Sequence, residues 1–239
     1  MRTMPALLVP AMMLIACPAH AGNRERMVNA SSDRGIEVRY SDETPVEGSG
    51  RRIRQARPAG DFTRVIVDDA LDAEITIGPR AAIELEGDDN LVDRIRADAR
   101  DGRLHLRVEG GYRVRQPMIA RITVPRLDGV DLRASGDVLL TGLTDGRLAL
   151  TGEGSGSFRA DGRVDEVEVR IQGSGDADLE RLRARSARVV INGSGNVRAQ
   201  ATEAMAATVN GSGNITYSGR PRQVSEDVNG SGSIRAAAN

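Results

Sequence analysis

Any chemistry in this chain would have to come from carboxylates. Asp176 and Asp178 stand two apart in an alternating run, so they share one face of a strand. Asp165 and Glu166 lie one strand earlier. Two carboxylates flanking a groove are what a polysaccharide hydrolase or lyase requires. Neither pair comes with an aromatic subsite or a supporting basic cluster, so solvated surface acids are the expectation. Histidine is nearly absent. His20 falls in an N-terminal leader, which leaves His105 within the alternating Leu104-His105-Leu106-Arg107-Val108. One strand-borne histidine supplies neither a metal site nor a catalytic triad, and no metal or cofactor is expected. The remaining nucleophile candidates are serines set between glycines. They lack the glycine spacing of a nucleophile elbow, and no lysine follows to make a phosphate loop.

Those serines are instead a ruler. Six copies of the motif centre on Ser135, Ser155, Ser174, Ser194, Ser212 and Ser231, with steps of 20, 19, 20, 18 and 19 residues. A period this regular marks a solenoid whose repeats are successive turns of a stack. Aligned on the serine, the third residue before it reads Leu132, Gly152, Ile171, Ile191, Val209 and Val228. The third residue after it reads Val138, Phe158, Ala177, Val197, Ile215 and Ile234. The fifth residues on either side are mostly apolar as well. Positions two apart share a strand face, so each coil has an inward strand, a glycine turn, a second inward strand and a variable return. The predicted fold is all-β: a parallel β-helix with coils of about 19 residues over 127–239. Five steps at about 4.8 Å make a rod section about 24 Å long.

Immediately before each glycine turn stand Glu153, Gln172, Asn192, Asn210 and Asn229. Amides stacked at equal heights can hydrogen-bond along a rod as a ladder. Gln172, Asn192, Asn210 and Asn229 are therefore the candidate binding residues, with a structural role as the competing reading. The last coil breaks the pattern. Glu226 takes an inward apolar slot beside Asp227, as expected of an end cap facing water.

Residues 50–126 read as a β-rich N-terminal part. Alternating runs appear at Ala73-Ile75-Ile77, Leu104-Leu106-Val108 and Ile119–Val124. Asp88 or Asp89 offers an N-cap for one short helix of about two turns, carrying Leu91, Val92 and Ile95 on one face. Residues 22–49 read as a flexible polar linker. Residues 1–21 read as an export signal: Arg2, an apolar run to Cys17, and Ala19-His20-Ala21 as the cleavage site. Cys17 also ends a lipobox-like Leu14-Ile15-Ala16-Cys17, so lipidation there is the alternative to cleavage after Ala21. Either route places the chain outside the inner membrane, in the periplasm or at the cell surface. Cys17 is the only cysteine, so the mature chain forms no internal disulfide.

All 33 basic residues are arginine and they balance 34 acids, for a net charge of −1. That balance, with only 2% aromatic residues, argues against a nucleic-acid partner. The core must be built from Val, Ile, Leu and Ala.

Several segments together resemble the autotransporter adhesin head GIN domain family, a bacterial group of unassigned function. They are Phe62–Val67, Gly87–Val92 with Ile95, Asp101–Leu104, Ile122–Leu127 leading into Ala134–Val138, and the glycine–serine repeats. The match covers roughly residues 50–239, with Ala134 standing where the pattern prefers glycine. The resemblance implies an exported all-β protein with a parallel β-helix; it implies neither a known ligand nor a catalytic site. The leading functional expectation is a non-enzymatic module that binds or scaffolds envelope or surface glycans or proteins. A polysaccharide lyase or hydrolase, and a self-assembling structural element, are the alternatives.

Overall fold

The computed structural model describes residues 26–31, 35–40, 44–144 and 146–237. The leader expected over 1–21, with Cys17, lies outside the described residues. The chain is all-β. Its N-terminal strands are β1 (Arg26–Ser31), β2 (Gly35–Tyr40), β3 (Val46–Glu47), β4 (Arg52–Arg57), β5 (Phe62–Val67), β6 (Leu71–Ile77) and β7 (Ala82–Asp88). Then come β8 (Ile95–Arg100), β9 (Gly102–Val108), β10 (Tyr112–Val114), β11 (Met118–Val124), β12 (Gly129–Leu132) and β13 (Asp137–Leu143). The repeats supply β14 (Arg147–Gly154), β15 (Ser157–Gly173), β16 (Ala177–Gly193), β17 (Asn196–Gly211), β18 (Asn214–Ser218), β19 (Gln223–Gly230) and β20 (Ser233–Ala236).

The C-terminal half is a stack of solenoid-like coils. β15 pairs with β16, and β16 with β17, both in parallel. Val169 faces Val189, Val189 faces Ala207, and Val209 faces Val228, so each residue meets the one a single repeat away. The stack is longer than the serine signature. β5 and β6 form an earlier coil, pairing in parallel with β12 and β13. Antiparallel strands close its N-terminal end: β8 on β9, and β4 on β7, which pairs with β11.

The expected inward positions form the core. Leu132, Ile171, Ile191 and Val209 are buried, as are Val138, Phe158, Ala177, Val197 and Ile215. Burying each aliphatic side chain contributes about 1.5–3 kcal/mol. Phe158 fills space that Gly152 leaves: a Cβ on Gly152 would lie 3.0 Å from the Phe158 ring. The last coil is different. Every residue of β19 is exposed, including Val224 and Val228, and the Tyr217 hydroxyl donates to Glu226 at 2.8 Å. Glu226 thus ends the apolar column with a polar group.

The glycine corner is where coils touch most closely. Ser174, Ser194, Ser212 and Ser231 each donate their backbone N–H, at 2.9 Å, to the carbonyl of Gly154, Gly173, Gly193 and Gly211 respectively. Gly193 sits at φ +146°, and a Cβ there would run into the Gly173 carbonyl oxygen one coil below. Only glycine satisfies both conditions. The opposite corner is not a loose return. β15, β16 and β17 run through it as continuous strands, bent at register shifts near Asp161 and Leu182.

Two sequence expectations need correction. The two-turn helix is a single 3-10 turn at Val92–Arg94, and Ile95 is already extended. Leu91, Val92 and Ile95 are buried as expected, but Ile95 pairs with Val108 and belongs to β8. Pairing in the sheet overrides the short helical pattern. The linker expected over 22–49 is partly strand. β2 pairs with β1 and with β10, and Val38 faces Tyr112; both side chains are fully buried. The Tyr112 hydroxyl donates to the Ala70 carbonyl at 3.3 Å, tying this small sheet to the stack.

The N-terminal closure carries a dense charge cluster. Glu86 on β7 accepts from Arg52 at 3.1 Å, from Arg54 at 3.0 Å and from Arg121. Burial pushes the Glu86 carboxyl up, but these guanidinium hydrogen bonds outweigh it and hold the group at about 2 instead of 4.5.

Two predictions follow from this packing. Gly193→Ala should lower the unfolding free energy by about 2 kcal/mol or more, through backbone strain and the clash with Gly173. Ser194→Ala should change it by less than about 0.5 kcal/mol, because that residue's exposed side chain is not what joins the coils. Urea titration of both variants checks this; equal losses would contradict it. The second concerns acid. Folding lowers the Glu86 pKa, so its stabilisation is present above pH 4.5 and fades as pH falls towards 2. Glu86→Gln should therefore show a flatter fall in urea midpoint over that interval, and profiles of equal slope would count against the cluster's role.

Candidate binding face at the glycine corner

The corner presents three parallel columns of polar groups. The first is the amide column expected from the repeats. Asn210 Nδ2 donates to Asn192 Oδ1 at 2.8 Å, and Asn229 Nδ2 to Asn210 Oδ1 at 3.1 Å. Gln172 lies in register with Asn192, but among the described residues no side-chain hydrogen bond joins them. The structure therefore brings Asn192, Asn210 and Asn229 together as a ladder and leaves Gln172 as its in-register continuation. All four are exposed.

The second column is the row of serine side chains, exposed at Ser155, Ser174, Ser194, Ser212 and Ser231. Their spacing follows from the glycine corner, which places one serine at the same height in every coil. Nothing in the arrangement activates them as nucleophiles.

The third column stands two residues after each serine. It reads Asp137, Ser157, Asp176, Asn196, Asn214 and Ser233. Ser157 Oγ donates to Asp137 Oδ1 at 2.6 Å, and Asn196 Nδ2 to Asp176 Oδ1 at 3.0 Å. Asn214 Nδ2 donates to Asn196 Oδ1 at 3.0 Å, and Ser233 Oγ to Asn214 Oδ1 at 2.7 Å. Asp72 extends the column into the coil that lacks a glycine–serine signature: it accepts the Asp137 N–H at 2.9 Å. Burial pushes the Asp72 carboxyl up, and the charges of Asp137 and Glu74 add to that, against the lowering effect of the Asp137 N–H. Asp72 could not be placed by the repeat spacing, because its coil is out of phase with the serine ruler. The other members were readable at a fixed offset from each serine.

The columns alternate with buried apolar positions on the same strands, which is what holds them flat. Ile191 lies under Asn192, and Val197 beside Asn196. Neighbouring rows are separated by one coil, about 4.8 Å. The surface offers amide donors, amide and carboxylate acceptors and hydroxyls on a rigid frame.

The carboxylates considered for catalysis do not form a paired site. Asp176 accepts from both the backbone and the side chain of Asn196, and Asp178 accepts the Glu180 N–H at 3.3 Å. Asp165 pairs with Arg185, and Glu166 with Arg147. Asp165, Glu166 and Asp176 are held by contacts to a neighbouring coil, and Asp178 by a contact within its own strand, all on the outer surface. His105 is half-buried on β9, opposite Asp98. Among the described residues no group of three His, Cys, Asp or Glu side chains is arranged to hold a metal ion. No helix among them is long and apolar enough to cross a membrane.

Comparison with known proteins agrees with this architecture. A solved "putative adhesin" from Bacteroides fragilis superposes with a TM-score of 0.68 at 24% identity, covering 80% of this chain and all of that one. A second, from Parabacteroides merdae, gives a TM-score of 0.52 at 20% identity, over 82% of this chain and all of that one. At these identities the likeness concerns the fold alone. No curated protein matches the chain. Residues 61–221 match the family model described as "Putative auto-transporter adhesin, head GIN domain", a range that runs from β5 to β18 and takes in most of the stack. The chain belongs to that family.

Proposed function

We propose that this chain is an exported envelope or surface module that binds a partner without transforming it, using the three-column face of its parallel β-helix. The observation that carries the reading is the ladder itself. Asn192, Asn210 and Asn229 are exposed, mutually hydrogen-bonded and evenly spaced on a rigid stack. A face of this kind suits a repetitive polar ligand, such as an envelope or surface glycan, because each coil offers the same groups at the same height. Export is supported by the leader-like residues 1–21 and by membership of an adhesin-like family. The absence of catalysis is supported by the commitment of Asp176 to Asn196, which leaves Asp178 without a second free carboxylate beside it.

The test is an array of glycans and cell-surface preparations probed with the mature protein. Binding is expected, and it should fall at least tenfold when Asn192, Asn210 and Asn229 are all changed to alanine. The ladder bonds are exposed, at about 0.5–1.5 kcal/mol each, so the variant should stay folded. Absence of any binding at high protein concentration would remove the reading.

One observation favours a second, self-assembling reading. β19 and β20 each pair with a neighbour on one side only, which leaves two open strand edges at the end of the stack. A twofold axis parallel to the strands would set each β19 antiparallel to the partner's β20. Outward Asp227 would then face the strand that carries Arg235, and the inner rows of Val228 and Ile234 would continue the core. Sedimentation equilibrium should show a dimer that Val228→Lys abolishes. A strict monomer at all concentrations would eliminate it.

A further inference from the structure

At the corner opposite the glycines, two outward columns treat charge in opposite ways. In one, Arg185 lies between Asp165 and Glu203 on the coils below and above, at 3.5 Å and 3.1 Å. Its charges alternate in sign, two acids to one arginine. Two residues away, Arg163 is in register with Arg183, and Arg183 with Gln200. Like charges directly opposite on paired strands destabilise a sheet. Arg181, in register with Asp161, stands on the same corner. Among the described residues, Arg163, Arg181 and Arg183 make no ion pair.

The nearby acids are engaged elsewhere. The Asp161 carboxylate accepts the Gly142 N–H at 3.0 Å, and Glu180 pairs with Arg198 at 3.8 Å. Arg163, Arg181 and Arg183 line one open cleft of about 540 Å³, together with Leu143, Gly162 and Gln200. No acidic residue is among those that line it.

We propose that Arg163, Arg181 and Arg183 form a site for the carboxylate groups of an acidic glycan. A guanidinium offers a planar fork of donors that matches a carboxylate, and heads on adjacent coils lie about one strand spacing apart. The unrelieved repulsion is what a site awaiting an anion looks like. The cleft favours a glycan over other anions. Leu143 is its one large apolar wall, so no acyl chain is accommodated. Asp165 and Glu203 flank the arginines with negative charge, which disfavours the dense phosphates of a nucleic acid. A chain with one carboxylate per sugar meets the arginines without crowding the acids. The proposal concerns a different corner from the amide ladder and stands or falls separately from it.

The test is titration of the full mature chain with a galacturonic acid oligosaccharide, with its methyl-esterified, uncharged counterpart, and with inorganic phosphate. The acidic oligosaccharide should bind saturably, more weakly as salt rises, while the esterified form and phosphate bind at least tenfold more weakly. Arg163→Gln with Arg183→Gln should weaken binding at least tenfold, whereas Arg103→Gln, at an exposed position near the other end of the stack, should leave it unchanged. Because the double change removes like charges, its urea midpoint should equal or exceed that of the parent. Three results would each overturn the proposal: no saturable binding, binding untouched by the double change, or a lowered midpoint that marks the arginines as structural. Phosphate binding as tightly as the oligosaccharide would also overturn the glycan assignment. Array binding that needs Asn192, Asn210 and Asn229 but ignores the arginines would leave the ladder reading intact.

Discussion

One contact governs the architecture: the serine N–H of each coil donating to a glycine carbonyl of the coil beneath. At Ser194 the acceptor is Gly173, at 2.9 Å, and the Gly193 backbone passes so close to the same carbonyl that a Cβ has no room. The corner therefore cannot drift. Once its height is set, the strands on either side are held in register, and a one-residue slip would turn every apolar side chain outward. The even spacing of the exposed amides is a by-product of this backbone lock.

The same lock explains why polar and apolar residues separate so cleanly by face. Ile191 and Asn192 are neighbours in the chain, yet one is fully buried and the other lies on the surface ladder. Inward residues stack on their counterparts and carry the hydrophobic energy. Outward residues repeat at one-coil intervals and are free to vary in chemistry. One outward column became an amide ladder, another a mixed Asp–Ser–Asn column, a third alternates Asp165, Arg185 and Glu203, and a fourth stacks Arg163 on Arg183.

The two ends solve the open-edge problem differently. The N-terminal end turns its strands antiparallel, with β8 and β4 at the margins and the Glu86–arginine cluster among the closing strands. The C-terminal end keeps parallel pairing to its last strands and interrupts the apolar column with Glu226, hydrogen-bonded to Tyr217. A stack with antiparallel strands at one end and parallel strands at the other has a built-in direction.

Much of this was readable from residue order. The serine period determined the coil, the alternation around it determined which side chains point inward, and the amides before each turn marked the Asn192–Asn210–Asn229 ladder. These are local, repeated signals, and a solenoid brings residues one period apart into contact, so chain position maps onto space. Only the tertiary structure decided the rest. Asp72 joins a polar column from a coil without the signature, Val38 is buried against Tyr112, and the segment at Val92–Arg94 gives up its helix to a strand pairing. It also decided that Arg163 and Arg183 face each other while Arg185 meets two acids. Each of these depends on a register shift or a partner far along the chain, and the energy of a contact between distant segments leaves no periodic trace in either of them.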